Sequence, residues 1–124
     1  MTTKRILIID DEADIREATQ MCLEITGEWE VVLASSGPEG LLKAAKEKPD
    51  AILLDIMMPG MDGLTTMQRL RENSDTAAIP IILLTAKAQS SEQRQLSQLD
   101  IAAIITKPYD PYSLSDQLVQ ALAK

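Results

Sequence analysis

Five polar side chains with the chemistry to bind a cation and a phosphate-like anion follow short apolar runs of the chain. They are Asp10 and Asp11 after the run at 6–9, Asp55 after the run at 51–54, Thr85 after the run at 81–84, and Lys107 closely after the run at 102–105. Ionised carboxylates bind hard cations, a hydroxyl donates a hydrogen bond, and a lysine contributes a positive charge. The chain has no histidine, which excludes histidine triads, histidine metal ligands and histidine general bases.

The elements that carry these side chains are short and alternate in type. Apolar runs of four residues without polar alternation predict strands that are buried on both faces of a parallel sheet. The runs lie at 6–9, 31–34, 51–54, 81–84 and 102–105, and helical patterns lie at 12–26, 38–47, 63–72, 89–99 and 111–123. This succession of βα units predicts an α/β fold of three layers, the doubly wound (βα)5 flavodoxin-like fold, with a parallel five-stranded sheet in the order 2-1-3-4-5. An incomplete Rossmann sheet is the less favoured topology.

The apolar positions of the helical patterns predict which helix faces pack against the sheet. These positions are Ile15, Ala18, Cys22 and Ile25 in the first helix, and Leu114, Leu118, Ala121 and Leu122 in the last. With 124 residues the chain has the usual size of one domain, and we expect a single domain over residues 1–124.

The carboxyl ends of parallel strands meet at one edge of the sheet, where ligands bind. In the predicted order the strands before Asp10 and Asp55 are neighbours, so Asp10, Asp11 and Asp55 would share one cleft, with Thr85 and Lys107 at its far side. Three clustered carboxylates repel one another, so either some of them stay protonated or a cation neutralises them. With only oxygen ligands available, Mg²⁺ is the cation that fits best. A carboxylate placed here could attack a phosphoryl group and form an aspartyl-phosphate.

Each of these residues also has an ordinary structural interpretation. Asp11 alone is as well explained as the N-cap of the first helix, and Asp55 as the start of a turn before Pro59. Thr85 and Lys107 are unremarkable singly. It is improbable that chance would place three acids, a hydroxyl and a lysine at the ends of four strands. The combination therefore supports a functional site more strongly than any one of these residues does.

At these positions the sequence resembles the receiver domain of two-component response regulators, in its CheY-like, stand-alone form. The resemblance extends from Ile6 to Leu122. Its motifs are Ile-Ile-Asp-Asp-Glu at 8–12, Leu-Asp-Ile-Met-Met-Pro-Gly-Met-Asp-Gly at 54–63, Leu-Thr-Ala at 84–86 and Lys-Pro-Tyr at 107–109. The resemblance implies a signalling phosphoacceptor rather than an enzyme, one that a sensor histidine kinase or phosphotransfer protein phosphorylates and a downstream effector protein reads.

The resemblance also implies a role for each site residue. Asp55 matches the phosphoacceptor, and Asp10 and Asp11 match the acidic pair that binds Mg²⁺ together with Asp55. The backbone carbonyl of Met57 matches a further metal ligand. Because Met57 offers no polar group that could orient water, we expect it to slow hydrolysis of the acyl phosphate.

Further positions concern the response to phosphorylation. Thr85 matches the hydroxyl that moves toward the phosphoryl group, and Lys107 the lysine that pairs with it, before a cis bond to Pro108. Gly63 matches a glycine that permits a tight turn. Ile104 stands where the family commonly has Tyr or Phe, so coupling through an aromatic ring is not available. The output surface is expected at 88–99, Ile104 and 110–113.

Composition limits the partners and the location. The net charge of −7 disfavours direct binding to nucleic acid or to an anionic membrane. Cys22 is the single cysteine, which rules out an internal disulfide and favours a cytoplasmic chain. The apolar runs are too short to span a membrane. We expect a monomer or a weak dimer.

Three other kinds of protein are disfavoured. A haloacid-dehalogenase-type phosphatase needs a second Asp two residues after its nucleophile. In this chain the residue two after Asp55 is Met57, and the residue two after Asp10 is Glu12. A flavodoxin-like cofactor binder needs a hydroxyl- and glycine-rich phosphate loop after the first strand, where this chain has acids. A purely structural pseudo-receiver would not need all five site residues.

Overall fold

The apolar runs form five parallel strands of one sheet. A computed structural model of the protein describes residues 4–25, 29–56, 58, 60–85, 101–106 and 111–122. The strands are β1 (Lys4–Ile9), β2 (Trp29–Ala34), β3 (Ala51–Asp55), β4 (Ile81–Thr85) and β5 (Ala103–Thr106). Their order is β2-β1-β3-β4-β5, and every neighbouring pair is parallel. The predicted topology is confirmed.

Four helices lie within the described residues. They are α1 (Ala13–Ile25), α2 (Gly37–Glu47), α3 (Gly63–Glu72) and α4 (Pro111–Leu122). Their starts agree with the sequence pattern to within one residue, because local signals fix them: the side chains of Ser36 and Asp62 cap α2 and α3. The helix predicted at 89–99 lies outside the described residues. No described helix has both the length and the apolar character that a membrane crossing requires.

Two apolar clusters, one on each face of the sheet, form the core. The cluster on the first face joins Ile8, Leu53 and Leu84 of the strands to Leu23 of α1 and Leu118 of α4. The cluster on the second face joins strand residues to Ala44 of α2 and to Met67 and Leu70 of α3. Helices on both faces explain why the strand runs are apolar without alternation, and they confirm the three-layer architecture.

The first helix packs on the sheet with only part of the predicted face: Ile15 and Cys22 are half-buried, but the other two predicted positions are exposed. Thr19 and Leu23 are its buried residues, whereas Ala18 is exposed and the side chain of Ile25 is 79% exposed. Burial of Thr19 is tolerated because its hydroxyl donates a hydrogen bond to Ile15 O at 2.7 Å. For α4 the prediction is confirmed, since Leu114, Leu118 and Ala121 are buried and Leu122 is half-buried.

Candidate functional site

The register of the sheet brings three of the predicted site residues, Asp10, Asp55 and Thr85, to one edge. Ile9 of β1 pairs with Leu54 of β3, so Asp10 and Asp55 come next on two neighbouring strands. Leu84 of β4 is the partner of Asp55, and Thr85 follows it. Residues two apart along a strand point to the same face, and this places Asp10 and Asp55 on the α1 side of the sheet. The strand order and the register together therefore bring Asp10 and Asp55 side by side.

Asp10, Asp11 and Asp55 form a compact cluster of carboxylates. One carboxylate oxygen of each residue lies within 4.8 Å of the corresponding oxygens of the other two. Asp10 is 0% and Asp55 is 2% exposed, and Asp11 is half-buried. Hard cations such as Mg²⁺ take oxygen ligands and bind through a few carboxylates while keeping several waters. The predicted clustering of the three acids is confirmed.

Backbone contacts hold the acidic pair in place. Asp10 N donates to Ala34 O at 3.1 Å, and Asp10 Oδ1 accepts from Glu12 N at 3.0 Å. Arg16 Nη1 donates to Asp10 O at 2.7 Å. Asp11 Oδ1 is buried, and no hydrogen-bond donor reaches it among the described groups. A buried carboxylate oxygen in that state is suited to a cation, so the donor set fits Mg²⁺.

The hydrogen bonds do not support the alternative interpretation of Asp11 as the N-cap of the first helix. In a capping interaction the side-chain oxygen accepts a backbone N–H of the first helical turn. The oxygen that accepts the Glu12 amide belongs to Asp10, and no described amide donates to Asp11 Oδ1.

The start of α3 presses against the end of β3. Ile56 N donates to Leu84 O at 3.1 Å, and Gly63 N donates to Ile56 O at 2.9 Å. A Cβ at Gly63 would stand 2.4 Å from Asp55 O, so only glycine fits without displacing backbone. The sequence analysis assigned Gly63 to a tight turn, but the structural reason for a glycine is its close approach to the backbone of Asp55. The positive φ in this loop belongs to Gly60, at 75°.

Two further residues act near the site and were not singled out from the sequence. Asp62 caps α3 by accepting Thr65 N at 2.8 Å, and this hydrogen bond lowers the pKa of Asp62. Its place directly before the pattern at 63–72 was an available signal. Arg16 bonds to Asp10 O, and no sequence signal shows that its side chain folds back.

The other predicted positions have different outcomes. Thr85 is buried, 4% exposed, and pairs with Thr106 of β5. Ile104 is half-buried and packs against the core cluster on the α2 side. The remaining predicted positions lie outside the described residues: Met57, Lys107, Pro108, the segment 88–99 and residue 110.

Comparison with known proteins places this fold and site in one family. The model of the response regulator receiver domain matches residues 6–119. The phosphate regulon transcriptional regulatory protein PhoB of Pseudomonas aeruginosa is 39% identical over 124 residues, which are 100% of this chain and 54% of that protein. The chain thus spans about half the length of the curated relatives it matches.

Solved structures agree with this assignment. The chemotaxis response regulator CheY4 of Vibrio cholerae is 28% identical with a TM-score of 0.88, and the match covers 97% of this chain and 99% of CheY4. A putative response regulator from Chloroflexus aurantiacus is 32% identical with a TM-score of 0.89, over 99% of this chain and 100% of that one. The chain therefore belongs to the receiver domains of two-component response regulators, the family of phosphorylation-dependent signalling switches.

Proposed function

We propose that Asp55 accepts a phosphoryl group from the phosphohistidine of a sensor histidine kinase or phosphotransfer protein. A carboxylate oxygen of Asp55 attacks phosphorus, the P–N bond breaks, and the imidazole nitrogen of the donor leaves with its electron pair. The observation that carries the proposal is the cluster of three carboxylates within 4.8 Å at the carboxyl edge of the sheet. Asp55 is the member on the central strand β3, next to Thr85 on β4.

Asp10, Asp11, Asp55 and the backbone carbonyl of Met57 are the proposed ligands of Mg²⁺. When bound, the ion offsets the repulsion among the carboxylates and the negative charge that develops on the transferring group. The chain's own residues orient the nucleophile: Ile56 N bonds to Leu84 O, and Gly63 N bonds to Ile56 O. These two bonds limit movement of the residue that follows Asp55.

Thr85 and Lys107 are the proposed sensors of the phosphoryl group. The hydroxyl of Thr85 donates to a phosphoryl oxygen, and the ammonium of Lys107 pairs with another. Both interactions exist only in the phosphorylated state, so they shift the balance between two conformations of the domain. The proposed output surface comprises 88–99, Ile104 and 110–113.

A downstream effector protein is the proposed reader of that surface. Ile104 packs half-buried against the aliphatic cluster and has no ring to rotate. Coupling is therefore proposed to proceed through aliphatic repacking. A net charge of −7 supports a protein partner over nucleic acid or membrane lipid, and it supports a monomeric or weakly dimeric protein. The single cysteine supports a cytoplasmic location.

Incubation with Mg²⁺ and acetyl phosphate, followed by intact-mass measurement, tests the phosphoacceptor. One phosphoryl adduct is expected on the wild-type chain, none on Asp55→Asn, and one on Asp75→Asn. Asp75 is an exposed acid outside the cluster and serves as the matched control. Equal modification of Asp55→Asn and the wild-type chain would refute the assignment.

The lifetime of the acyl phosphate tests the proposed role of Met57. Met57→Asn supplies an amide that can orient an attacking water, so we expect faster loss of the phosphoryl adduct. The decay of the adduct's mass signal after removal of the phosphodonor measures this loss. An unchanged or longer lifetime would contradict the proposal while leaving the assignment of Asp55 intact.

A further inference from the structure

We propose that Arg16 is a positioning residue of the acidic cluster, and that its anchor on the backbone of Asp10 sets the affinity of the site for Mg²⁺. The inference rests on the proposed metal site and adds a residue outside its ligand set. Arg16 does not touch the ion in this proposal. It acts through the peptide group to which its guanidinium is bonded.

The contact is suited to this role because of the atom it engages. Arg16 Nη1 donates to Asp10 O at 2.7 Å, and Asp10 O belongs to the peptide that joins Asp10 to Asp11. The orientation of this peptide plane governs the directions in which both side chains leave the backbone. Arg16 N donates to Glu12 O at 2.9 Å, so the arginine itself is fixed in the first turn of α1.

Contacts at the end of β2 hold Glu39, a residue of α2 whose carboxylate also feels the positive charge of Arg16. Ser35 donates from its amide and its hydroxyl to Glu39 Oε1, and Lys43 Nζ donates to Leu33 O. The amide of Ser35 lowers the pKa of Glu39, burial opposes this shift, and the charges of Lys43 and Arg16 lower the pKa further. The guanidinium of Arg16 is thus bonded to the turn after β1 and also acts through its charge on a carboxylate at the start of α2.

An anchor is needed here because the three carboxylates of the cluster repel one another and would tend to move apart. Ionised carboxylates whose oxygens lie within 4.8 Å of one another repel each other when no cation is bound. Without a fixed peptide, the turn at 10–11 would relax in the metal-free state, and the ion would have to restore it on binding. Arg16 keeps the ligands arranged beforehand, which is the effect that outer contacts have at metal sites.

The sign of the effect separates positioning from simple charge. If Arg16 acted only as a nearby positive charge, its removal would strengthen cation binding. If it positions the acidic turn, its removal weakens binding. We expect Arg16→Gln to raise the Kd for Mg²⁺ about tenfold, and Arg16→Lys to recover part of the affinity, because lysine can still donate to the carbonyl but lacks the planar fork.

Arg5 offers a matched control within the same chain. It is also half-buried and donates from Nη1 to a backbone carbonyl, Glu47 O, at 2.9 Å. Arg5 lies on β1 near its amino end, away from the cluster. Arg5→Gln is expected to lower the melting temperature and to leave the Kd for Mg²⁺ within about twofold, a margin well below the outer-contact effect.

The experiment is calorimetric titration of MgCl2 alone into the full chain at constant ionic strength, with amide exchange of Glu12 measured in metal-free buffer. We expect Arg16→Gln to bind Mg²⁺ more weakly and to exchange its Glu12 amide proton faster than the wild type. We expect Arg5→Gln to show neither change. Equal or tighter binding by Arg16→Gln, or an equal loss in Arg5→Gln, would overturn the inference while the metal site stands. A wild-type chain that binds no Mg²⁺ would overturn the proposed metal site, and with it any effect of Arg16 on affinity.

Discussion

Gly63 lies against the backbone of Asp55 so closely that a Cβ at Gly63 would stand 2.4 Å from Asp55 O and 2.5 Å from Ile56 Cα. The neighbours are main-chain atoms of a buried strand end, which cannot yield as a flexible side chain does. The first turn of α3 is thus packed directly on the proposed phosphoacceptor segment. The side of the site formed by β3 depends on the absence of a side chain at Gly63.

Gly63→Ala is therefore expected to move the end of β3. Urea unfolding should show a loss of about 1–3 kcal/mol from overpacking, and Mg²⁺ affinity and labelling of Asp55 by acetyl phosphate should both fall. Gly60→Ala is the control in the same loop: it has a positive φ but open space around it. It should lose about 1 kcal/mol of stability through backbone strain and retain labelling. Equal labelling of the two variants would contradict this explanation.

The repulsion within the acidic cluster predicts opposite effects of Asp10→Asn with and without Mg²⁺. Asparagine keeps an oxygen that can accept Glu12 N but removes one charge from the cluster. Without Mg²⁺, the free energy of unfolding should rise by about 1–3 kcal/mol. At a Mg²⁺ concentration of about 100 times Kd, the wild type should gain about 2.7 kcal/mol and the variant much less.

Urea titrations with EDTA and with MgCl2 measure both effects of Asp10→Asn, with Asp75→Asn as the exposed control. If the variant is no more stable than the wild type in EDTA, the three carboxylates do not repel one another as their spacing implies.

The cap of α3 predicts a dependence of stability on pH. The pKa of Asp62 lies below its ordinary value of 3.8, because Thr65 N donates to the carboxylate. A lowered folded-state pKa gives stability that is fully present above the unfolded value and is lost as the pH falls through the folded pKa. The stability of the wild type relative to Asp62→Asn, which keeps a capping oxygen, should therefore decline only below about pH 3.8.

Urea unfolding at several pH values between 3 and 6 checks this prediction. Asp62→Ala, which lacks a capping oxygen, should lose about 1 kcal/mol throughout the neutral range. A difference between wild type and Asp62→Asn that is constant with pH would show that the charge of the carboxylate contributes nothing to the cap.

A buried hydrogen bond joins the edge strand β2 to the last helix. Trp29 Nε1 donates to Ser115 Oγ at 3.0 Å, and both side chains are buried. Ser115→Ala leaves the indole N–H without this acceptor, which should lower the free energy of unfolding by about 1–3 kcal/mol. In Trp29→Phe the donor is gone, so adding Ser115→Ala should cost less than it does in the wild type.

A double-mutant cycle measured by circular dichroism isolates the contribution of this bond. Ser74→Ala, at an exposed position, provides the control. Strict additivity of the Trp29 and Ser115 substitutions would show that the bond does not contribute to stability.

Much of the fold and part of the site were predictable because their causes are local. Four-residue apolar runs mark strands buried on both faces, and Ser36 and Asp62 mark helix starts. Once the strand order is known, residues directly after neighbouring parallel strands must meet, so the sequence pattern was enough to group Asp10 with Asp55. The prediction for α4 succeeded for the same reason, since its apolar positions form one stripe.

The rest depended on how separate elements pack, and the tertiary structure alone decided it. Counting apolar residues placed Ala18 and Ile25 of α1 inward, but the rotation that buries Leu23 also buries Thr19, whose hydroxyl is satisfied within the helix. The return of Arg16 to Asp10 O and the fit of Gly63 against Asp55 arise from contacts between elements rather than from any pattern along the chain. The sequence by itself determined which side chains reach the edge of the sheet, because the positions of the apolar runs and of the polar residues directly after them can be read along the chain. The structure decided what holds those side chains in place, because that depends on distances between segments that the sequence does not encode locally.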